Sequence, residues 1–341
     1  MNFGQNEIDK SKRLIDNARR ILISTHKNPD GDAIGSSTAL YHILTSYGKE
    51  CEIILPDEAP EFLRWMLQGV KYRVFESDKE QVEQSVAACD LLFVCDYNHF
   101  GRVGKELEEK LSTCAAPAIM IDHHQQPASF PVVTMSDTSA CSTCEMIYRF
   151  AHLCKFEQHI KKEAGAAIYC GIMTDTGSFR FDSVTAETHR IVAQLMEIGI
   201  DHAAIHRAVY DTQLPERLKL VGYSLHQKLN ISADGCTAWI WLDAGELKAH
   251  AYRQGDAEGL VNYALSIKGV KLAAFFREGN NEIKTSFRSK GQFDVNTFAR
   301  THWNGGGHFH AAGGSSADSM QNVLMKFETL LHQYATEIRE S

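Results

Sequence analysis

Short apolar runs alternate with amphipathic stretches along the first half of the chain. ILIST (21–25), EIIL (52–55), DLLFVC (90–95) and AIMI (118–121) are rich in branched residues and show no regular polar face. That texture marks strands buried on both sides, as in a parallel sheet. Between them, 36–47 and 105–111 follow a helical period, so residues 1–190 read as a doubly wound, mainly parallel α/β domain. From Cys141 the chain turns helical. Residues 185–200 and 201–229 read as helices without strands, 191–228 as a helical connector, and Pro215 as a helix start or kink. The last segment, 229–341, alternates again. Strands are expected over 236–242, 270–278 and 281–289, with helices over 294–303 and 319–338, making a smaller α/β domain. The active site is expected in the cleft between the two domains.

Length and charge refine this picture. A chain of 341 residues exceeds the usual size of one hydrophobic core and can bury two. No apolar run is long enough to cross a membrane, and residues 1–20 form a charged amphipathic stretch without a signal peptide's apolar core; a cytoplasmic protein with no membrane partner is expected. Residues 229–341 carry 11 Lys plus Arg against 12 Asp plus Glu, so almost all of the net charge of −8 falls in residues 1–228. An acidic domain of this kind lacks the broad basic surface that long nucleic acid needs, whereas a short substrate requires few phosphate contacts. The nine cysteines, an odd number, argue against a disulfide framework. Cys141 and Cys144 lack a second pair to complete a zinc site and read as buried apolar residues. His189, His202, His206 and His226 read as surface or packing histidines, because no carboxylate recurs beside them at ligand spacing.

The chemistry-bearing residues fall into four clusters: His26-Lys-Asn-Pro-Asp30-Gly-Asp32, Asp96 in LLFVCDYN, Asp122-His123-His124, and Asp175 in GIMTDTGSF. Hard oxygen and imidazole ligands at expected strand ends suit a pair of divalent cations such as manganese, and such a pair commonly activates water against phosphate. In an open α/β sheet, residues distant in sequence converge outside the carboxyl ends of the strands. Asp30 and Asp32, with a glycine between them, are expected to reach one cleft from an irregular loop, one serving each ion; either alone would equally read as the cap of a helix beginning near Gly35. Asp96, alone at the tip of its strand, is the natural bridging carboxylate.

THKNPDGDAIGSS, VCDYN, IDHH and MTDTGSF match, in order, the four motifs of the DHH phosphoesterase superfamily, which the chain resembles. The resemblance implies that His26, Asp30 and Asp96 hold one manganese and that Asp32, Asp96, His123 and Asp175 hold the other, with magnesium or cobalt as substitutes. It further implies that His124 lies beside the scissile phosphate. Near the C-terminus, Asn304-Gly305-Gly306-Gly307-His308-Phe309-His310-Ala311-Ala312-Gly313 resembles the GGGHxxAAG element of the DHH-associated C-terminal domain, although many relatives carry glycine where Asn304 stands. Successive glycines let backbone amides approach an anion. Ser286, Arg288 and Lys290 alternate along an expected strand and share a face, and Arg288 offers a planar fork to phosphate. Ser286, Arg288 and the Gly305, Gly306, Gly307, His308 loop are therefore expected to hold a phosphate or terminal nucleotide.

The paired signatures are similar to those of compact nano-RNases, which degrade very short RNA and in several cases dephosphorylate 3'-phosphoadenosine 5'-phosphate. The resemblance implies a manganese-dependent phosphoesterase in which Asp96 and His124 serve the chemical step, with short RNA oligonucleotides or nucleotide phosphates as partners. Exopolyphosphatase, pyrophosphatase and cyclic or linear dinucleotide phosphodiesterase are the alternatives within the superfamily. The Arg-Lys-Lys stretch of family II pyrophosphatases is absent. A nonenzymatic nucleotide-binding relative should have lost metal ligands, and none is lost.

Overall fold

The computed structural model describes residues 4–253, 255–279 and 281–341, so the first three residues of the N-terminal stretch lie outside it. The chain divides after Thr212 into two compact units.

The first unit is built on six parallel strands: β1 (Arg20–Ser24), β2 (Glu50–Leu55), β3 (Tyr72–Val74), β4 (Leu91–Cys95), β5 (Ala118–Asp122) and β6 (Val133–Ser136), in the order β3-β2-β1-β4-β5-β6. Its helices are α1 (Gln5–Asn17), α2 (Gly31–Ser46), α3 (Lys79–Ala88), α4 (Lys105–Ser112), α5 (Thr143–Leu153), α6 (Lys162–Asp175), α7 (Ala186–Glu197) and α8 (His202–Tyr210). Alternate strand residues feed two separate cores. Ile21, Ile23, Leu91, Phe93 and Cys95 pack with α1, α2, α5 and α6, while Leu22, Leu92 and Val94 pack with Val82, Val86, Leu107 and Leu111 of α3 and α4. Helices on both faces explain why these strands read as unbroken apolar runs. The strand order reverses between β1 and β4, the position at which open α/β sheets form a crevice at their carboxyl ends.

Several local expectations change. Helix α2 begins at Gly31, not near Gly35, because the Asp30 side chain accepts from the amides of Asp32 and Ala33, both at 3.0 Å, and caps it. Asp32 therefore sits in the first helical turn instead of an irregular loop. Asp175 ends a helix, α6, and not a strand. The strands β3 and β6, not expected from the sequence, are short sheet edges.

The second unit begins with α9 (Pro215–Gln227), Pro215 standing at its first turn, so the stretch 191–228 read as one connector contains helices of both units. Strands β7 (Leu229–Ile231), β8 (Thr237–Leu242), β9 (Leu272–Glu278), β10 (Ile283–Ser289), β11 (Gly306–His308) and β12 (Ala311–Ser316) form a mixed sheet in the order β11-β12-β10-β9-β8-β7. The remaining helices are α10 (Ala244–Ala249), α11 (Leu260–Leu265), α12 (Val295–His302), α13 (Met320–Gln333) and α14 (Ala335–Glu340); the single helix expected over 319–338 breaks at Tyr334. One face is covered by a cluster in which Phe276, Phe287, Trp303 and Phe327 lie with ring centroids 5.0–6.3 Å apart. Such aromatic pairs each add about 0.5–1.5 kcal/mol beyond the area they bury.

The glycine run expected to be an open loop is the edge strand β11. Its glycines answer to backbone crowding: a Cβ on Gly305 would lie 1.9 Å from the Gly313 carbonyl oxygen, and one on Gly307 would lie 2.4 Å from that of Ala311. Neither position can hold a side chain without moving the neighbouring strand.

Candidate active site

The polar residues that follow β1, β4 and β5 converge at the carboxyl end of the first sheet. His26, buried, follows β1. Its Nδ1 lies 2.9 Å from the Lys27 carbonyl oxygen, which fixes the ring so that Nε2 stands 3.4 Å from Asp96 Oδ2 and 4.0 Å from Asp30 Oδ1. Asp96, immediately after β4, is buried and holds φ at +64°, a left-handed conformation that aspartate tolerates better than most residues and that turns its carboxylate into the cluster. Asp96 Oδ1 accepts from the Thr143 hydroxyl at 2.9 Å.

Asp32 is held by the start of α5. Its Oδ2 accepts from the Thr143 amide at 2.6 Å and its Oδ1 from the Cys144 amide at 2.8 Å, so the positive end of one helix grips a carboxylate carried by another. The close approach depends on Gly171 in α6, where a Cβ would lie 2.9 Å from Asp32 Oδ1 and 2.1 Å from Cys144 Sγ. His123 follows β5. With Nδ1 3.2 Å from the Ala140 carbonyl oxygen, its Nε2 faces Asp175 at 3.5 Å and Asp32 and Asp96 at 3.7 Å each. His124 is oriented differently: Asp122 Oδ1 lies 2.7 Å from its Nδ1, and Asp122 Oδ2 accepts from its backbone amide at 3.1 Å.

The electrostatics of this cluster are those of a cation site. Burial drives the carboxyl of Asp32 up and that of Asp96 well above its ordinary value, and each is raised further by neighbouring carboxylates. Burial pulls His123 down, but Asp175, Asp32 and Asp96 outweigh it and lift the imidazole to about 9, making it a counter-charge for the acids around it. His124 is pushed well below its usual range by burial and by the positive charge of His123, Arg102 and His26. Asp122 is raised to about 6, again chiefly by burial. Asp175 adds a carboxylate at the negative end of a helix, an unfavourable position unless a positive charge faces it.

Donor atoms of His26, Asp30 and Asp96 all lie within 4.8 Å of one another, as do those of Asp32, Asp96 and His123. Asp96 belongs to both groups and Asp175 adjoins the second through His123. This set of oxygen and imidazole donors, with Asp32 and Asp96 too buried to remain comfortably charged by themselves, fits divalent cations. All six residues expected as ligands from the sequence are thus brought together, and His124 adjoins them.

The residues expected to hold substrate lie in the second unit. Ser286 pairs with Gly313, which pairs with Gly306; Arg288 pairs with Ala311, which pairs with His308. The two rows run across β10, β12 and β11 on the face opposite Phe287, and Ser286, Arg288, Gly306 and His308 are all half-buried there. Lys290 falls beyond the strand and donates to the Leu265 carbonyl oxygen at 2.6 Å.

Two participants were not legible as such. Asp122 belongs to a motif read for its histidines, yet it is the residue that orients His124. Thr143 lay inside a segment read for its cysteines. The sequence did hold a signal for it: Ser142-Thr143-Cys144-Glu145 has the spacing of a helix cap, and the Ser142 hydroxyl accepts from the Glu145 amide at 3.0 Å, which places the two amides that grip Asp32.

Comparison with known proteins agrees with this architecture. Residues 20–172 match the DHH family N-terminal domain and residues 243–337 match the DHHA1 domain. The chain is 30% identical over 322 residues to the bifunctional oligoribonuclease and PAP phosphatase NrnA of Bacillus subtilis, covering 92% of this chain and 95% of that protein. It is also 30% identical to the NrnA of Thermus thermophilus, over 86% of this chain and 83% of that one. The crystal structure of an exopolyphosphatase-related protein from Bacteroides fragilis superposes with a TM-score of 0.93 at 36% identity, covering 98% of each chain. The chain therefore belongs to the DHH family, carries a DHHA1 domain in its second unit, and is a hydrolase of phosphoester bonds.

Proposed function

We propose that the protein hydrolyses short oligoribonucleotides and removes the 3'-phosphate of 3'-phosphoadenosine 5'-phosphate, using two divalent cations, manganese foremost. The observation that carries this reading is the convergence of His26, Asp30, Asp32, Asp96, His123 and Asp175 from four separate segments onto one cluster whose centre, Asp32, Asp96 and His123, is buried. Similarity over nearly the full length to proteins named for both activities supports the substrate class.

His26, Asp30 and Asp96 would hold one cation, and Asp32, Asp96, His123 and Asp175 the other. Bound there, divalent cations supply Lewis acidity, which makes a water nucleophilic near neutral pH and offsets charge on the phosphoryl oxygens. The residues themselves do the positioning. The Thr143 hydroxyl and the α5 amides hold Asp96 and Asp32 in fixed rotamers, and backbone carbonyl oxygens fix the tautomers of His26 and His123. Asp122 keeps the His124 Nδ1 proton toward itself, directs Nε2 toward the phosphoryl group, and supports the ring's positive charge when Nε2 is protonated. Thr143→Val removes one hydrogen bond to Asp96 while leaving the amide that holds Asp32. It should lower kcat/KM on the order of 10-fold, the size expected for one bond to a charged group, with an unchanged melting temperature. Steady-state kinetics and a thermal melt check this; wild-type kinetics would remove Thr143 from the account.

In the second unit, Ser286, Arg288 and the β11 strand would take a substrate phosphate or terminal nucleotide. Arg288→Ala should raise KM for dinucleotides and for 3'-phosphoadenosine 5'-phosphate by about 10-fold to 100-fold, reflecting a charge-assisted bond. Turnover of a small chromogenic phosphodiester, which lacks the second anchoring group, should change little. Equal losses on both substrates would assign Arg288 to the fold instead.

The function is tested by offering the purified protein 5'-labelled RNA from dinucleotides upward, 3'-phosphoadenosine 5'-phosphate, cyclic and linear dinucleotides, pyrophosphate and polyphosphate, with manganese and magnesium in parallel. The expected result is hydrolysis of dinucleotides and the nucleotide phosphate, declining as the RNA lengthens. A preference for polyphosphate, the substrate class after which the Bacteroides fragilis relative is named, would overturn it.

A further inference from the structure

At the end of the first sheet away from the acidic cluster, two cysteines face each other. Cys89 lies between α3 and β4, and Cys114 between α4 and β5, with their sulfurs 3.6 Å apart. Both thiols point at one acceptor, the Val86 carbonyl oxygen, at 3.4 and 3.7 Å. Both are half-buried, whereas Cys51, Cys95, Cys141, Cys144, Cys154 and Cys170 are fully buried. Cys89 also borders an open cavity of about 590 Å³ lined in part by Ser85 and Ala88, and Cys114, outside that lining, is itself half-buried. Asp90 and the five residues of β4 separate Cys89 from Asp96, roughly 20 Å along the extended chain, so the pair stands apart from the site described above.

We propose that Cys89 and Cys114 form a reversible intramolecular disulfide by exchange with a low-molecular-weight disulfide of the glutathione type. The sulfurs must approach by about 1.5 Å to reach bonding distance, a shift within reach of side-chain rotation at two half-buried loop positions. Either thiol can donate to the other, and the contact with Cys89 holds the Cys114 thiol below its usual range against the opposing effect of burial, which favours Cys114 as the attacking thiolate. Cys114 sulfur attacks one sulfur of the reagent, forming a mixed disulfide and releasing one reagent thiolate. Cys89, losing its proton to solvent, then attacks the Cys114 sulfur and expels the second reagent thiolate. Two protein thiols are oxidised by two electrons, and one reagent disulfide is reduced to two thiols. The new bond would close a loop containing β4 and α4 and tie together the entries of the adjacent strands that carry Asp96 and His123.

The test uses the full chain under native conditions, incubated with oxidised glutathione. The expected result is loss of two of the nine thiols, a mass lower by two hydrogens, fragmentation spectra placing the link between Cys89 and Cys114, and full reversal by dithiothreitol. The oxidised form should melt higher by about 5–10 °C, as closing a loop of this length restricts the unfolded chain. In Cys89→Ser, Cys114 should instead retain glutathione as a stable mixed disulfide. A thiol count that stays at nine, glutathione carried separately by both cysteines of the wild type, or a link to any other cysteine would overturn the proposal.

Discussion

Replacing Asp96 with alanine is expected to abolish phosphoester hydrolysis, by a factor on the order of 1,000 or more, and to lower the number of divalent cations bound per chain. Among the described residues Asp96 is the carboxylate shared by the group of His26 and Asp30 and the group of Asp32 and His123, so its loss damages both cation positions together. The fold should survive. Asp96 is a buried acid surrounded by other acids, and its removal relieves repulsion in the cation-free protein. Alanine does strain the backbone at φ +64°, so Asp96→Asn provides the control: asparagine accepts that conformation and keeps the shape but carries no charge. Both variants should be inactive and folded by circular dichroism, with metal content by elemental analysis below that of the wild type. Full metal occupancy with retained turnover in Asp96→Asn would contradict the bridging role.

The second large effect separates the paired histidines. His124→Ala should lower turnover by about 100-fold to 1,000-fold while metal content holds, because Asp122 engages the His124 Nδ1 at 2.7 Å, whereas Asp96 Oδ1 stands 3.8 Å from it. His123→Ala should act chiefly on metal content, since its Nε2 faces all three of those carboxylates. Asp122→Ala, which leaves His124 in place without its anchor, should reproduce part of the His124 loss and leave metal content high. Metal loss in the His124 variant together with metal retention in the His123 variant would exchange the two roles.

The parallel sheet was legible because its strands are buried on both faces. Ile21, Leu22, Ile23 and Leu91 through Cys95 are apolar at every position, and the two cores they feed account for that pattern. The edge strands β3 and β6 have one or no covered face and only three or four residues, too little for periodicity to reveal them. The ligand residues were legible as types and in order, since Asp96 and His123 directly follow β4 and β5 and His26 stands two residues past β1. What the sequence obscured was how helices complete the site. Asp30 caps α2, Asp32 rides its first turn and Asp175 closes α6, so helix ends supply most of the carboxylates. The role of Thr143 depends on a contact across 47 residues that no local spacing encodes, and that of Asp122, two residues from His124, on side-chain direction. The glycine run misled in the opposite direction: chain flexibility and backbone crowding call for the same residue, and only the pairing of β11 with β12 distinguishes them.

The most direct measurement joins cation number to turnover. Protein stripped with a chelator is titrated with manganese, bound ions per chain are counted by elemental analysis after dialysis, and dinucleotide hydrolysis is followed at each point. The expected result is binding that saturates at two ions per chain and hydrolysis that rises with occupancy of the pair. Full-rate dinucleotide hydrolysis by the stripped protein, or saturation at two ions with no hydrolysis of any phosphoester, would contradict it.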